Sequence, residues 1–248
     1  MHGYGDATYG DGFADVYDEW YGEISDTEAT VDAVAALAAD AGGPVLELGV
    51  GTGRLAIPLA ARGIEVEGVD ASAAMVRRLQ AKPGGAQVRV TIGPMEAADP
   101  PGPFGVVLVA FNTFFNLTAL ARQEACMQSV AARLGKTGVF AIETVVPAEP
   151  AHGSGTALEV RTVELDRVVL VATAHGDDGR TITGQHIELS ERGVRLRPWR
   201  IRVASPAELD AMAAAAGLAL TSEAADWRGA PFTEASQTRV AIYRRMPP

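Results

Sequence analysis

Val45 to Arg54 reads VLELGVGTGR, a short apolar run that stops in three glycines at alternate positions, Gly49, Gly51 and Gly53. Pro44 to Leu48 predicts a buried parallel strand, because both of its faces must tolerate burial. The glycines let the backbone turn sharply and approach a ligand with no Cβ in the way. A helix over Arg54 to Arg62 then points its free N–H groups and positive dipole end at that ligand. Asp70 stands 21 residues beyond Gly49, at the end of a second apolar run, Glu65 to Val69. An acidic residue at about that distance accepts hydrogen bonds from ribose hydroxyls. Together they predict a nucleoside site at the carboxyl end of a parallel sheet. The glycine spacing is G-x-G-x-G, whereas dinucleotide binders use G-x-G-x-x-G.

Working outward, strand and helix patterns alternate. A helix is expected over Thr27 to Asp40, with apolar Val31, Val34, Leu37 and Ala38, stopped by Gly42 and Gly43. Ser72 caps a helix over Ala73 to Gln80. Strands follow over Gln87 to Ile92, Val106 to Ala110 and Val139 to Val145, with a helix from about Leu117 to Leu134 between the last two. This alternation predicts an α/β domain with helices on both faces of the sheet. Thr156 to Val203 then breaks the rhythm with four period-2 segments: Ala157–Val163, Val168–Ala174, Thr181–Leu189 and Val194–Val203. Turn signals between them predict an inserted antiparallel meander. Ser205-Pro206-Ala207-Glu208 supplies a capping box and a first-turn proline for a helix ending at Gly217. Strands at about Leu218–Ala225 and Thr238–Arg244 complete the chain.

Composition narrows the function. With 248 residues, 48% apolar and 21% charged, the chain has ample core for one domain and is neither disordered nor fibrous. No apolar run reaches the roughly 18 residues of a spanning helix, so no membrane partner is expected. The formal charge of −10 argues against nucleic acid, because phosphate binding needs clustered cations. The N-terminus lacks a basic start and apolar middle, and the one cysteine, Cys126, suits a reducing cytoplasm. No His/Cys pattern suggests a metal. A small-molecule partner is expected.

ELGVGTGR resembles the first motif of class I S-adenosylmethionine-dependent methyltransferases, and VEGVDAS, Val66 to Ser72, resembles their acidic second motif. TIGPMEAAD (Thr91 to Asp99), FGVVLVAFNTFFNL (Phe104 to Leu117), SPAELDAMAAAAGL (Ser205 to Leu218) and YRR (Tyr243 to Arg245) extend the likeness along nearly the whole chain. The resemblance implies a Rossmann-like seven-stranded, mostly parallel sheet in the order 3-2-1-4-5-7-6, with an inserted antiparallel β cap. It divides the single domain, 1–248, into an N-terminal lid (1–26), a cofactor-binding core (27–150), the inserted sheet (151–204) and a final helix with the last strands (205–248).

The cofactor implied is S-adenosylmethionine. By the resemblance Gly49 and Gly51 line its methionine moiety, Asp70 its ribose and Met95 the face of its adenine, with Ala71 and Glu96 as neighbours and Glu47, Gly53 and Arg54 as further cofactor-binding candidates. Pro94 replaces the acidic residue usual before Met95. Phe111 follows the fourth strand beside the cofactor. Ala14 to Tyr21 resembles a mobile cap, which makes Tyr9, Tyr17 and Tyr21 candidates for closing over cofactor or substrate. A helix face packed on the body explains the same tyrosines and Trp20.

The reaction implied is methyl transfer to nitrogen or oxygen of a small molecule in specialised metabolism. Asn112, Glu143 and His186 are the candidates for a catalytic role, with Asn116, His152, His175, Arg197, Trp199 and Trp227 near the expected pocket. Histidines of this kind are more often structural, and Arg192 to Arg202 fit a solvated sheet face on which Arg197 can meet an anionic substrate. The insertion leaves an apolar face, Leu158, Val160, Val168 and Leu170, for the main domain or a second subunit to cover; the latter makes a homodimer. Other readings are a cofactor-binding enzyme of different chemistry such as cyclisation, a nucleotide-dependent oxidoreductase, and an inactive scaffold.

Overall fold

A computed structural model describes residues 1–147 and 155–246. His152 lies outside the described residues. Three helices lead, α1 (Thr8–Phe13), α2 (Tyr17–Tyr21) and α3 (Thr27–Ala41), followed by β1 (Val45–Leu48), α4 (Ala56–Ala61), β2 (Val66–Asp70), α5 (Ala73–Ala81), β3 (Arg89–Ile92), β4 (Phe104–Val109), α6 (Leu120–Arg133) and β5 (Leu134–Val145). The insertion is β6 (Thr156–Val163), β7 (Arg167–His175), β8 (Thr181–Ser190) and β9 (Gly193–Arg202); α7 (Pro206–Ala215), β10 (Leu218–Ala224) and β11 (Thr238–Arg245) follow.

Seven strands form one sheet in the order β3-β2-β1-β4-β5-β11-β10, parallel except for the antiparallel pairings of β11. Counted within that sheet, the order is 3-2-1-4-5-7-6, as the resemblance implies. The central strands β1 and β4 are buried along their whole length, so both faces demand apolar residues. Two apolar clusters show why: Phe114, Phe115, Met127 and Phe140 belong to one, and Val31, Val34, Leu55 and Leu59 to the other. The capping predictions at Ser72 and Ser205 hold, the latter as a reciprocal box with Glu208.

One segment departs from expectation. The helix expected from about Leu117 begins at Leu120, and the segment before it, Phe111–Asn116, forms a 3-10 turn. Phe111 enters it at φ +50°, a left-handed conformation that costs a bulky residue of order 1–2 kcal/mol.

The insertion is a separate four-stranded antiparallel sheet, β6-β7-β8-β9. Its two faces differ. Val169, His186 and Arg197 are buried on the face against the N-terminal helices. On the reverse face Val160, Leu170, Ile187 and Leu196 form one cross-strand row, and Leu158 and Val160 remain 64% and 63% exposed. Among the described residues the main domain does not cover this face, which removes one of the two expectations for it.

Candidate functional site

The parallel strands release their loops at one end of the sheet, and the glycine turn sits there because β1 ends in it. Gly49, Gly51 and Gly53 all have positive φ, at +77°, +56° and +82°. Their surroundings differ. A Cβ on Gly49 would stand 2.1 Å from Cγ2 of Thr113, whereas one on Gly51 would meet nothing nearer than 3.9 Å. Gly49 is therefore fixed by packing, and Gly51 faces open space. Gly53 packs on Leu79 and Ile57 and lines neither cavity described below.

Asp70 ends β2 beside this turn. Its Oδ2 accepts from Gly51 N–H and its Oδ1 from Ser72 N–H, each at 2.8 Å. Burial raises its pKa, opposed by those two amides. A small cavity of about 120 Å³ opens here, bordered by Asp70, Ala71, Pro94, Met95, Glu96 and Arg122. Arg122 pairs with Glu96 on the wall and with Asp6 of the N-terminal strap, so the strap is tied across the opening. Oε2 of Glu96 is buried with no partner in the structure.

A second cavity, about 410 Å³, adjoins it and shares Tyr9, Tyr17, Gly49, Gly51, Thr113 and Asn116. Its wall on the glycine side is Glu47 and Arg54; on the cap side it is Glu159, Arg161, His186 and Trp199. Glu47 is 4% exposed, and burial pushes its carboxyl up to about 8, with Oε2 unpartnered. Arg54 donates to the hydroxyls of Ser25 and Thr27.

These features fit the cofactor the motifs imply. The unpartnered Glu96 oxygen suits an adenine amino group, Asp70 a ribose, and unpartnered Glu47 an ammonium. Arg54, which meets only hydroxyls among the described residues, suits a carboxylate. Open space over Gly51 admits a ligand where a side chain would fill the cradle.

The N-terminal helices roof both cavities. Phe13 is fully buried, with Tyr9 at 4.7 Å and His186 at 5.1 Å between ring centroids. Polar latches hold this roof: Asp18 with Thr52 and Lys82, Ser72 with Asp11, and Arg161 with the Trp20 carbonyl. Arg197 is corrected by the structure. It is 1% exposed and bound to Asp15 and Glu188, so it braces the lid and meets no substrate.

The three catalytic candidates separate. His186 lines the larger cavity, 6% exposed, and burial, with the nearby Arg161 and Arg197, pushes its pKa down to about 4. Asn112 also lines it, but its Oδ1 accepts from Val145 N–H at 2.8 Å. Glu143 lines neither cavity, and its Oε2 accepts from Phe111 N–H at 3.0 Å. Both bonds run from β5 to the strained Phe111 turn and hold it in place. Tyr21 and Phe111 line the larger cavity, while His175 is exposed and lines neither. Trp227 packs beneath the sheet.

Arg122, Thr113, Glu159 and Arg161 were not legible as site residues. They come from separated segments; Thr113 lies inside the quoted stretch Phe104 to Leu117 but its spacing there does not single it out, and the other three stand outside the quoted motifs.

Residues 45–138 match the family described as a methyltransferase domain. The solved CcbJ methyltransferase from Streptomyces caelestis is 39% identical, with a TM-score of 0.88, and the match covers 98% of this chain and 100% of that one. A cypemycin N-terminal methyltransferase from a Streptomyces species is 29% identical over 207 residues, 82% of this chain and 84% of that protein. An S-adenosylmethionine-dependent methyltransferase from Clostridium acetobutylicum shares the fold, with a TM-score of 0.80 over 96% of this chain and 99% of that one at 12% identity.

Proposed function

Because the chain belongs to the class I S-adenosylmethionine-dependent methyltransferases, we propose that it methylates the nitrogen of a small amine in specialised metabolism. When bound, the cofactor supplies an electrophilic methyl group on a sulfonium. The chain's own residues supply alignment and a dry, polarised cavity.

The state of His186 carries the choice of nitrogen. An imidazole held near 4 is neutral at pH 7 and forms hydrogen bonds, but it is too weak a base to hold the proton of an alcohol. A neutral amine needs no such base. The rings of Tyr9, Tyr17 and Tyr21 on the same cavity suit an acceptor that becomes cationic, because aromatic faces attract cations. The N-terminal methyltransferase among the relatives supports the same choice. Asn112 and Glu143 act here as positioning residues for Phe111, and the aromatic roof excludes water.

We also assign the exposed reverse face of the cap to a homodimer interface. An apolar sheet face of this extent is rarely left in water. The setting is a reducing cytoplasm, in keeping with the one, buried cysteine. No helix of the described residues is long and apolar enough to cross a membrane.

The test is product analysis. Incubation with S-adenosylmethionine and a library of primary and secondary amines should yield S-adenosylhomocysteine and N-methylated product. Methylated alcohols or phenols with untouched amines would refute nitrogen as the target, and a product with no added methyl would favour cyclisation.

A further inference from the structure

The cap wall of the larger cavity carries hydrogen-bonding groups with nothing to bind. Arg161 lies with its guanidinium 5.3 Å from the Trp20 ring centroid and 5.0 Å from that of Tyr21, and its one hydrogen bond in the structure is to the Trp20 carbonyl. Among the described residues no carboxylate pairs with it. Other cap arginines differ: Arg167 has Glu19 and Glu164, Arg195 has Asp15, and Arg197 has Asp15 and Glu188. Trp199 lies across Gly184 of the neighbouring strand, where a Cβ would stand 2.0 Å from Cε2 of the indole. Its indole nitrogen is buried and unpartnered, as is Nδ1 of His186.

The Tyr21 hydroxyl stands 3.5 Å from Nε2 of His186. The tautomer that carries its proton on Nδ1 leaves Nε2 to accept from that hydroxyl. Arg161, Trp199 and His186 then all present N–H groups. Indole and guanidinium are donors only, so the complementary group is rich in acceptor oxygens. Nε1 of Trp199 and Nδ1 of His186 are buried without partners, and an oxygen ligand would satisfy them; Arg161 stands exposed at the rim beside them.

We propose that this wall is an oxyanion subsite, and that the amine acceptor carries a carboxylate or phosphate-type group bound by Arg161, Trp199 and His186. The inference rests on the methyl-transfer reading and specifies its substrate. Glu159 on the same rim is exposed, where water and salt screen it. Glu47 stands on the glycine-turn side. Neither forbids an anion at Arg161.

The test uses the full chain saturated with S-adenosylhomocysteine and three probes: para-(aminomethyl)benzoate, its benzamide counterpart and para-(aminomethyl)phenylphosphonate. Calorimetry and the Trp199 indole N–H resonance report binding. At least one oxyanion probe should bind about tenfold or more tighter than the amide and shift that resonance. The tighter of the two oxyanions identifies carboxylate or phosphate as the group. Arg161→Ala and Trp199→Phe should bring the preference close to unity while S-adenosylhomocysteine affinity stays within about twofold. Equal affinity for amide and oxyanions, no saturable oxyanion binding, or a preference that survives both substitutions would overturn the proposal. Loss of S-adenosylhomocysteine binding in the unaltered protein would overturn the underlying reading with it.

Discussion

The amide of Gly51 donates to Oδ2 of Asp70 at 2.8 Å, so the carboxylate proposed to bind the sugar also sets the bend of the glycine turn. The two motifs are one object. Ser72 N–H fixes the other oxygen, leaving the carboxylate oriented with lone pairs to spare for a ligand.

Asp70→Ala should therefore weaken S-adenosylhomocysteine binding by about 1.5–3 kcal/mol, the scale of lost charge-assisted hydrogen bonds. Calorimetry gives the dissociation constant directly. An unchanged value would remove Asp70 from the site.

Glu47 predicts a proton effect. Its folded pKa, pushed up to about 8 by burial, exceeds its ordinary 4.5. The unliganded chain accordingly gains stability from this group below the ordinary value and loses it as pH rises towards 8. A cationic ligand beside Glu47 reverses the preference, so cofactor binding at pH 7 should release protons. Titrations in buffers of different ionisation enthalpy should show that release in the wild type and lose it in Glu47→Gln. The same substitution should flatten thermal stability between pH 5 and 8. Equal proton release by both proteins would exclude Glu47 as its source.

Gly49 and Gly51 should fail differently. Gly49→Ala places a Cβ against Thr113 and adds left-handed strain of about 1–2 kcal/mol, so its thermal midpoint should fall. Gly51→Val carries left-handed strain as well, but with nothing nearer than 3.9 Å to its Cβ it should stay folded and abolish cofactor binding by filling the ligand's space. Circular dichroism melts with ligand titration separate the two. Retained affinity in Gly51→Val would contradict the cradle.

Glu143 should behave as a brace. Glu143→Ala leaves Phe111 N–H without its acceptor, costing about 1–3 kcal/mol, and should reduce turnover while cofactor affinity holds. Glu143→Gln retains an acceptor oxygen and should recover most of that turnover. Equal inactivity of both variants, with stability intact, would point to direct chemistry instead.

Much of this was legible because it is periodic or local. Three glycines at alternate positions and an acid 21 residues on are backbone requirements written directly into sequence. Strand order followed from the family pattern, and Leu158 and Val160 already marked an apolar cap face. Arg197 misled because charge suggests exposure, and its partners Asp15 and Glu188 are brought to it only by packing the lid on the cap. Arg161 stayed hidden for a related reason. Its position over Trp20 and Tyr21 depends on how an edge strand meets a helix 140 residues earlier in the chain. The 3-10 turn after Ala110 lies in a segment whose aromatic run carries no periodicity that marks a turn of this kind.

The reverse face of the cap predicts an oligomer. Leu158→Glu with Leu196→Glu, both exposed in one chain, should convert a dimer to a monomer by light scattering while cofactor affinity persists. A wild-type monomer at micromolar concentration would refute the interface.

The most direct measurement is a crystal structure with S-adenosylhomocysteine. The ribose hydroxyls should lie within hydrogen-bonding distance of the Asp70 carboxylate, with the sulfur at the junction of the two cavities over Gly51. A nucleoside found anywhere else on the chain would contradict the account.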